Sequence, residues 1–366
     1  MVGTNPTLWK RLTSGFSDSE GSGQSRIRSE KSQALRRGRV KEVILTIPHY
    51  FRELSQIRGP SELYGWVYYK FPNLFPLIDF PPNISVEVTA KCNFSCTHCW
   101  RRGKHRPEGE MDVALFEKIV REVSLHRSFR WFKLLGLGEA AIHSRFRELM
   151  AVLVHHPIPT MAYTNGSLLR LYPHREILSW GFKTLVVSID GIDAEDYARI
   201  RVGGNYASLR KAVMDFYQCR NSSGGRSPVI EIRHVIMPNE TATQLLQFRK
   251  TWMECADSVK FQSLGPQTGL LDFEVPIRPK CRPIRREMGI WWDGTAPLCM
   301  GYWRDSLGNV RDSTIAELWR HPRLENMREC HERRDFAPVP LCLRCPGCGE
   351  AIAFASKTGQ KPAMAN

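Results

Sequence analysis

The sequence predicts an α/β fold, a parallel sheet with helices packed outside it, followed by a smaller cysteine-rich domain. Two observations lead to this class. Between residues 83 and 264, short apolar segments alternate six times with longer amphipathic segments, an order typical of a parallel sheet. Most of the eleven cysteines fall in two clusters, whereas a disulfide framework would spread them along the chain. With 366 residues, the chain is long enough for one large or two unequal domains.

Each predicted strand is a short apolar run that leads into a loop. The strands are Ile84–Val88, Phe132–Leu135, Thr160–Thr164, Thr184–Ile189, Val229–Ile236 and Ser258–Gln262. Helices fill the gaps, and from Val113 to Leu125 the apolar residues recur at helical spacing on one face. In a sheet of this kind, functional side chains sit at the C-terminal ends of the strands. A site is therefore expected there.

The two ends of the chain differ from this central part. Residues 1–41 are rich in Ser, Gly and Arg, which predicts a basic, mostly disordered tail. Residues 42–82 carry many aromatic residues broken by prolines. They predict short helices packed on the main domain or, alternatively, an interfacial surface for a membrane or a partner groove. Residues 351–366 are expected to form a flexible tail.

Charge and targeting signals narrow the class of protein. The formal net charge of +15 suits anionic partners, whether nucleic acid, a phosphorylated or carboxylated substrate or a membrane surface, and does not choose among them. The N-terminal residues lack the apolar core of a signal peptide, and no run of eighteen apolar residues occurs. We therefore expect a cytoplasmic protein with reduced, metal-binding thiols.

The first cysteine cluster follows the first predicted strand, where Cys92, Cys96 and Cys99 have the spacing C-x-x-x-C-x-x-C. A four-iron, four-sulfur cluster normally takes a thiolate at every iron, so three thiolates would leave one iron open to bind and activate a small molecule. The alternative is a structural zinc knuckle, although zinc motifs more often pair C-x-x-C with a distant second pair or with histidines. The spacing favours a reactive iron–sulfur cluster.

Residues 92–99, including His98 just before the last cysteine, resemble the signature of the radical S-adenosylmethionine (radical SAM) superfamily. The resemblance implies a partial (βα)6 barrel over residues 83–264 and a catalytic 4Fe-4S cluster bound by Cys92, Cys96 and Cys99. It also implies that S-adenosylmethionine (SAM) binds the open iron and that an electron from the cluster cleaves it to methionine and a 5′-deoxyadenosyl radical. Such an enzyme needs an electron donor, for example flavodoxin or ferredoxin.

Gly138 and Glu139 follow the second predicted strand. A tight turn is the plain interpretation. The pair also resembles the Gly-Gly-Glu motif of the radical SAM family, which contacts the amino group of the methionine moiety. Leu137 and Ala140 differ from the usual Gly and Pro at their positions. The resemblance implies that Gly138 and Glu139 bind SAM.

Later strand ends supply the remaining candidates for the SAM pocket. Asn165, after the third strand, resembles a residue of the family's nucleoside pocket and fits a plain turn equally well. Ser188 and Asp190 alternate along the fourth strand and share one face, where the resemblance implies contacts to the ribose. Arg201 is the candidate partner of the SAM carboxylate, because its planar fork suits that group. Arg233 is expected either in the cavity or in a paired core.

The second cysteine cluster comprises Cys281, Cys299, Cys342, Cys345 and Cys348. Between its two halves, a hairpin turn is predicted at residues 308–309 and a short helix at residues 315–319. The layout over residues 281–350 resembles the auxiliary-cluster region of the SPASM and twitch subgroups of radical SAM enzymes. The resemblance implies that the first four of these cysteines ligate one auxiliary 4Fe-4S cluster, with Cys348 as a substitute ligand. The spacings for a second auxiliary cluster are missing, and a zinc ribbon is the alternative.

The resemblance implies an oxidoreductase-type enzyme that abstracts a hydrogen atom from its substrate. It offers a small carbohydrate-like substrate that is oxidised or epimerised, or else a peptide or protein side chain that is modified. Cys219, Cys255 and Cys330 lie outside the motifs, and one of them facing the cavity would favour epimerisation by returning a hydrogen atom. A non-catalytic, zinc-stabilised nucleic-acid-binding protein is the remote alternative. It would leave the strand-end motifs unexplained, so we expect no stable nucleic-acid partner.

Overall fold

The computed structural model describes residues 77–99, 107–126, 129–264, 281–300 and 302–339, together with residues 67, 101 and 342. The predicted tails 1–41 and 351–366 and most of the aromatic segment 42–82 lie outside the described residues. The same holds for Cys345 and Cys348.

Strands and helices alternate through the central part of the chain. They are β1 (Asn83–Val86), α1 (Val113–Ser124), β2 (Trp131–Leu134), α2 (Phe146–His155), β3 (Thr160–Thr164), α3 (Ser167–Leu171), α4 (His174–Ser179), β4 (Thr184–Ser188), α5 (Ala194–Ile200), α6 (Tyr206–Ser222), β5 (Val229–Ile236), α7 (Ala242–Trp252) and β6 (Ser258–Ser263). A short 3-10 helix (Ala140–Ile142) follows β2. The C-terminal part adds α8 (Pro283–Arg286), β7 (Glu287–Ile290), β8 (Thr295–Cys299), β9 (Tyr302–Asn309), α9 (Ile315–Trp319) and α10 (Pro322–Arg333).

The main sheet is parallel and has the strand order β6-β5-β4-β3-β2-β1-β7. The predicted α/β class and the order of the six predicted strands are confirmed, and the observed strand ends differ from the predicted ones by two residues at most. The seventh strand, β7, is missing from the sequence prediction. It comes from the C-terminal region and pairs with β1, with Asn83 opposite Glu287 and Val86 opposite Ile290. The C-terminal region thus completes one edge of the core sheet.

The outer face of the sheet is apolar because apolar residues alternate along β1 and β2. Ile84, Val86, Phe132 and Leu134 are all at most 1% exposed. The apolar face of α1 belongs to the same hydrophobic core, and fully burying each large apolar side chain contributes about 1.5–3 kcal/mol. At its start, α1 is capped by the side chain of Asp112. This packing fixes the position of the loops at the strand ends.

The inner face of the same strands is polar. Ser85 Oγ donates a hydrogen bond of 2.7 Å to Glu287 Oε1, and Lys133 Nζ lies 2.8 Å from the same oxygen. Burial would raise the pKa of Glu287, but Lys133 and Ser85 outweigh that effect and lower it. The Glu287 carboxylate therefore joins β1, β2 and β7.

The C-terminal region packs directly on α1. Glu122 Oε1, from the last turn of α1, accepts hydrogen bonds from the backbone N–H groups of Ile315 (2.6 Å) and Ala316 (3.3 Å) at the start of α9. Lys118 Nζ, one turn earlier, donates to the carbonyl of Arg311 over 2.9 Å. The predicted helix at residues 315–319 is confirmed with the same bounds. A side chain of the core domain thereby satisfies N–H groups that a helix start leaves unpaired.

The predicted hairpin turn at residues 308–309 is wrong. Gly308 and Asn309 close strand β9 and lie opposite Ala296 and Thr295 of β8, while the chain reverses between Cys299 and Tyr302. Gly308 has a φ of 136° beside a register irregularity of the two strands, and a glycine inside a strand commonly marks such an irregularity. A Gly-Asn pair commonly marks a turn, but here both residues pair with β8.

Among the described residues, no helix combines the length and the apolar character that crossing a bilayer requires.

Candidate active site

The loop that follows β1 carries Cys92, Cys96 and Cys99 and is tied to the C-terminal end of α5. The backbone N–H of Ser95 donates to the carbonyl of Val202 over 2.8 Å, and that of Thr97 donates to the carbonyl of Ile200 over 2.9 Å. Val202 lies two residues beyond α5, whereas Ile200 is its last residue, and the last C=O groups of a helix have no partners inside it. The cysteine loop supplies these partners and is held in place by backbone bonds.

The three thiols of this loop lie in a partly apolar setting. Burial raises the pKa of Cys92 and raises the pKa of Cys96 to about 11, and the negative charges of neighbouring thiolates add to both effects. The backbone N–H of Phe94 points at Cys92 Sγ (3.5 Å) and that of Arg101 at Cys99 Sγ (3.4 Å). N–H groups aimed at sulfur are a common environment for iron–sulfur ligands. Burial opposes ionisation of Cys92 and Cys96, whereas a bound cation favours it.

Zinc and an iron–sulfur cluster place different demands on three thiolates. A zinc knuckle requires its ligands to meet at one ion, whereas a 4Fe-4S cluster takes each thiolate at a different iron. In the part of the chain that the structure describes, no group of three His, Cys, Asp or Glu side chains is found that could hold a single metal ion.

Asp190, at the end of β4, connects several parts of this site. Its buried carboxylate accepts hydrogen bonds from Arg201 Nε (2.6 Å, to Oδ2) and from the backbone N–H of Val235 (2.7 Å, to Oδ1). His98 Nε2 lies 3.1 Å from the same Oδ2. Burial would raise the pKa of Asp190, but the charge of Arg201 and the contact with His98 hold it well below its usual range. Arg201 Nη1 also lies 3.9 Å from Cys96 Sγ.

Gly138 lies where the chain after β2 passes very close to the cysteine loop. A Cβ atom at this position would lie 2.1 Å from the carbonyl oxygen of Thr89 and 2.4 Å from that of Lys91. The next residue, Glu139, donates its backbone N–H to the Lys91 carbonyl over 2.9 Å. Because both clashing atoms belong to the backbone, only glycine fits here. The close approach brings Glu139 to the base of the cysteine loop.

The carboxylate of Glu139 is buried and bridges two strand ends. Thr164 Oγ1 donates to Oε1 over 2.8 Å, and the backbone N–H of Asn165 donates to Oε2 over 2.7 Å. Burial raises the pKa of Glu139 to about 7, although these hydrogen bonds act in the opposite direction. Glu139 can therefore exchange a proton near neutral pH, and a cation close to it would favour its charged form.

Asn165 links the end of β3 to the cysteine loop. Its Nδ2 lies 3.1 Å from Asn93 Oδ1 and 3.9 Å from Cys92 Sγ. Its Oδ1 accepts hydrogen bonds from the N–H and the hydroxyl of Ser167. Gly166 has a φ of 98°, a conformation that favours glycine. Asn165 is thus part of a turn and also of the site, the two interpretations that the sequence left open.

The structure brings most of the predicted SAM-pocket residues to the cysteine loop. Gly138, Glu139 and Asn165 contact it directly, and Asp190 reaches it through His98 and Arg201. Ser188 lies at the end of β4, half-buried, in register with Arg233 of β5. Sequence reasoning missed that Asp190 has partners in three separate segments, namely His98, Arg201 and Val235. The position of His98 between two cysteines is the one signal in the sequence that points to this role.

The second cysteine cluster is described in part. Cys281 lies just before α8, Cys299 ends β8, and the buried Cys342 donates its backbone N–H to the carbonyl of Val339 over 2.8 Å. The backbone N–H of Cys281 donates to Nδ1 of His331 over 3.3 Å. Cys342 belongs to the hydrophobic core, and the partly buried Cys281 packs against it.

The cysteines outside the two motifs occupy the helical layer. Cys219 lies in α6 and Cys330 in α10, while Cys255 follows α7 and contacts the carbonyl of Trp252. None of these three is on a strand of the main sheet.

Comparison with protein families identifies two regions of the chain. Residues 86–251 match the model of the radical SAM superfamily. Residues 281–346 match the model of an iron-sulfur cluster-binding domain, SPASM. The first region holds the cysteine loop and strands β2 to β5, and the second holds Cys281, Cys299, Cys342 and Cys345.

Several curated proteins are similar in sequence. A tungsten-containing aldehyde ferredoxin oxidoreductase cofactor-modifying protein from Pyrococcus furiosus is 22% identical over 339 residues, which cover 77% of this chain and 93% of that protein. A probable GTP 3′,8-cyclase from Methanococcus maripaludis is 31% identical over 130 residues (35% and 43%). The mycofactocin maturase MftC from Mycobacterium tuberculosis is 25% identical over 174 residues (48% and 44%). The chain thus spans less than half the length of the last two relatives.

Solved structures share the fold. Streptococcus suis SuiB bound to the precursor peptide SuiA has a TM-score of 0.57 at 14% identity, covering 88% of this chain and 76% of that chain. A histidine-tagged form of anSMEcpe with bound AdoMet has a TM-score of 0.54 at 16% identity, covering 73% and 88%. The family matches imply a 4Fe-4S cluster and SAM in the core and iron–sulfur binding in the C-terminal domain. On these findings, the chain contains a radical SAM domain at residues 86–251 and, C-terminal to it, a SPASM iron–sulfur cluster-binding domain at residues 281–346.

Proposed function

We propose that this protein reductively cleaves SAM at a 4Fe-4S cluster bound by Cys92, Cys96 and Cys99 and abstracts a hydrogen atom from a small, carbohydrate-like substrate, which is oxidised or epimerised. The observation that carries the proposal is the contact of three strand ends with one cysteine loop: Glu139 after β2, Asn165 after β3 and, through Arg201, Asp190 after β4.

The chain's own residues would position SAM beside that loop. Glu139 offers a carboxylate to the cationic amino group of the methionine moiety, and Gly138 allows the close approach that places it there. Ser188 is the candidate for the ribose hydroxyls. Arg201 stays a candidate for the SAM carboxylate, since its Nη1 faces the cysteine loop while its other nitrogens bind Asp190. When bound, the cluster supplies the electron that cleaves SAM to the 5′-deoxyadenosyl radical.

Asp190 has a different proposed role from the one that the sequence suggested. Both of its oxygens already accept hydrogen bonds from the protein, one from Val235 and one from Arg201. A direct contact to the ribose would compete with these bonds. We therefore assign Asp190 to the orientation of His98 and Arg201, two side chains next to the cysteine loop.

In the C-terminal domain, we propose a single auxiliary 4Fe-4S cluster. Its ligands would be Cys281, Cys299, Cys342 and Cys345, with Cys348 as the alternative to one of them. If the reaction is an oxidation, the substrate radical must give up an electron, and such a cluster would supply an acceptor for it. The reaction also needs a low-potential electron donor such as flavodoxin or ferredoxin and reduced thiols, which fits a cytoplasmic location.

Modification of a peptide or protein side chain is the second candidate function. The sequence similarity to the mycofactocin maturase favours it. The small-molecule proposal draws support from the inner face of the sheet, where charged residues such as Glu231, Arg233 and Lys260 line β5 and β6. A polar, hydroxylated or charged substrate matches such a surface better than an apolar side chain does.

An isotope-transfer experiment tests the reaction and separates the two substrate classes. Extract from cells grown in D₂O is divided by size into small molecules, peptides and proteins, and each fraction is added to the anaerobically reconstituted enzyme with SAM and dithionite. Deuterium in 5′-deoxyadenosine, measured by mass spectrometry, reports hydrogen abstraction. Deuterium from the small-molecule fraction supports the first candidate, and deuterium from the peptide or protein fraction alone supports the second. Absence of SAM cleavage in a protein loaded with iron would overturn both.

A further inference from the structure

Four polar side chains form a cluster on the inner face of the sheet. They are Tyr163 in β3, Glu231 and Arg233 in β5, and Lys260 in β6. The strand register places them on one face: Tyr163 and Glu231 each pair with Val186 of β4, and Arg233 pairs with Lys260. We refer to these four residues as the inner-face cluster.

The cluster is held together by direct contacts. Arg233 Nη1 donates to the hydroxyl of Tyr163 over 3.0 Å, and its guanidinium carbon lies 5.0 Å from the centre of the Tyr163 ring. Arg233 Nε donates to Glu231 Oε1 over 3.0 Å, with Nη2 on the same oxygen. Lys260 Nζ lies 2.6 Å from Glu231 Oε2. Arg233 is therefore fixed from two sides.

The charges of the cluster do not balance. Two cations, Arg233 and Lys260, share the one carboxylate of Glu231. The Glu231 side chain is 4% exposed, whereas that of Arg233 is 19% and that of Lys260 is 43% exposed. Burial would raise the pKa of Glu231, but Arg233 and Lys260 outweigh it and lower it. The buried carboxylate is thus charged, and one positive charge is left over on the accessible side.

Arg233 also has free hydrogen-bonding capacity. A guanidinium has five N–H donors, and the contacts of Arg233 use Nε and one N–H each of Nη1 and Nη2. One N–H remains on each terminal nitrogen, so Arg233 can donate two further hydrogen bonds to an anion. A core that only needed to neutralise Glu231 would require one cation. The second, half-exposed cation needs another explanation.

We propose that the inner-face cluster binds an anionic group of the substrate, a carboxylate or a phosphate, through Arg233 and Lys260. Glu231 and Tyr163 orient the two cations. This inference rests on the proposed function, because it places the substrate on the inner face of the sheet near the end of β4. Ser188, the candidate for the SAM ribose, pairs in register with Arg233, so the cluster lies next to the proposed SAM pocket.

The carboxylate of SAM is the other anion that Arg233 and Lys260 could bind. The experiment distinguishes it from an anionic group of the substrate. Equilibrium dialysis at constant ionic strength measures the binding of ³²P-phosphate, ¹⁴C-malonate and labelled SAM to the reconstituted full-length protein. The test variant is Lys260→Gln. The matched control is Lys211→Gln, which removes an exposed lysine that is paired with Asp215 on α6.

We expect Lys260→Gln to weaken phosphate or malonate binding about fivefold or more and to leave SAM binding unchanged. Lys211→Gln should match the wild type for every probe. The preferred probe identifies the anion as a phosphate or a carboxylate. A second variant, Arg233→Lys, keeps the charge but loses the planar fork, and it should weaken malonate binding without changing SAM binding.

Three results would overturn the inference: no saturable binding of either anion to the wild type, equal anion binding by Lys260→Gln and Lys211→Gln, or loss of SAM binding in Lys260→Gln with anion binding intact. Failure of the proposed reaction gives a different pattern. In that case the wild type cleaves no SAM, whereas Lys260-dependent binding of phosphate or malonate persists.

Discussion

Arg201 and Asp190 form a buried ion pair in which Nε of the arginine lies 2.6 Å from Oδ2 of the aspartate. Their side chains are 11% and 0% exposed. The pair joins the residue after α5 to the end of β4, and Arg201 extends from there to Cys96. The pair thereby closes the short segment that carries α5, and Arg201 connects this segment to the cysteine loop. The stability of the fold and the shape of the site depend on the same two charges.

Asp190→Asn should be strongly destabilising. It would leave the buried guanidinium of Arg201 without a counter-charge, and breaking a buried pair on one side typically costs about 3–5 kcal/mol. The free energy of unfolding of the metal-free protein, measured in urea, checks this. Arg199→Gln is the control, since it breaks the exposed pair with Asp196 and should change stability little. Equal stability of the two variants would contradict a structural role for Asp190.

Gly138→Ala should disrupt the site through the backbone. The added methyl group would lie 2.1 Å from the Thr89 carbonyl oxygen, and since this atom cannot rotate away, the cysteine loop or Glu139 must move. Overpacking of this kind costs about 1–3 kcal/mol. We also expect weaker SAM binding by the reconstituted protein.

The matched control for Gly138→Ala is Gly225→Ala. The nearest atom to a Cβ there is 3.8 Å away, so the methyl group fits and both measurements should stay at wild-type values. Wild-type SAM affinity in Gly138→Ala would show that the close approach is not needed for the pocket.

The pH dependence of stability should contain a part due to Glu139. Burial raises the pKa of this carboxyl from 4.5 to about 7, so the folded state binds the proton more tightly than the unfolded state. The contribution of this proton to the free energy of unfolding is fully present below about pH 4.5. It is lost as the pH rises through about 7, a loss on the order of 3 kcal/mol. Glu139→Gln is neutral throughout and should remove that part of the decline.

Urea unfolding of the metal-free protein near pH 5 and near pH 8 measures this difference. The exposed Glu148, which pairs with Arg145, provides the control. Glu148→Gln should keep the wild-type decline between the two pH values. If the free energy of unfolding of Glu139→Gln declined as much as that of the wild type, the folded protein would not hold the Glu139 proton more tightly than the unfolded protein does.

The sequence predicts the strands of the core well because their apolar runs carry the signal locally. Thr160–Thr164 and Val229–Ile236 have the predicted bounds. β7 shows the limit of this approach. Its sequence, Glu-Met-Gly-Ile, is too short for a clear period, and its pairing with β1 joins residues about two hundred positions apart. Only the folded chain shows that Glu287 completes the sheet.

In the candidate site, too, local features could be predicted and long-range ones could not. The sequence alone predicted the cysteine loop from the spacing of Cys92, Cys96 and Cys99. It also placed Glu139 and Asn165 at strand ends, because each of these is a local pattern. The role of Asp190 could not be predicted, since its partners come from three separate segments of the chain. The balance of charges in the inner-face cluster likewise depends on which strands lie side by side.

Iron content should divide between the two cysteine clusters. If Cys92, Cys96 and Cys99 ligate one 4Fe-4S cluster and the C-terminal cysteines another, the reconstituted wild type should hold about eight irons per chain. The triple change of these three residues to Ala should leave about four irons and abolish SAM cleavage. A matched triple change of Cys219, Cys255 and Cys330 to Ala removes the same number of thiols outside the motifs and should retain about eight. Iron and sulfide analysis after anaerobic reconstitution decides the outcome, and a protein that holds zinc alone would contradict the assignment of both clusters.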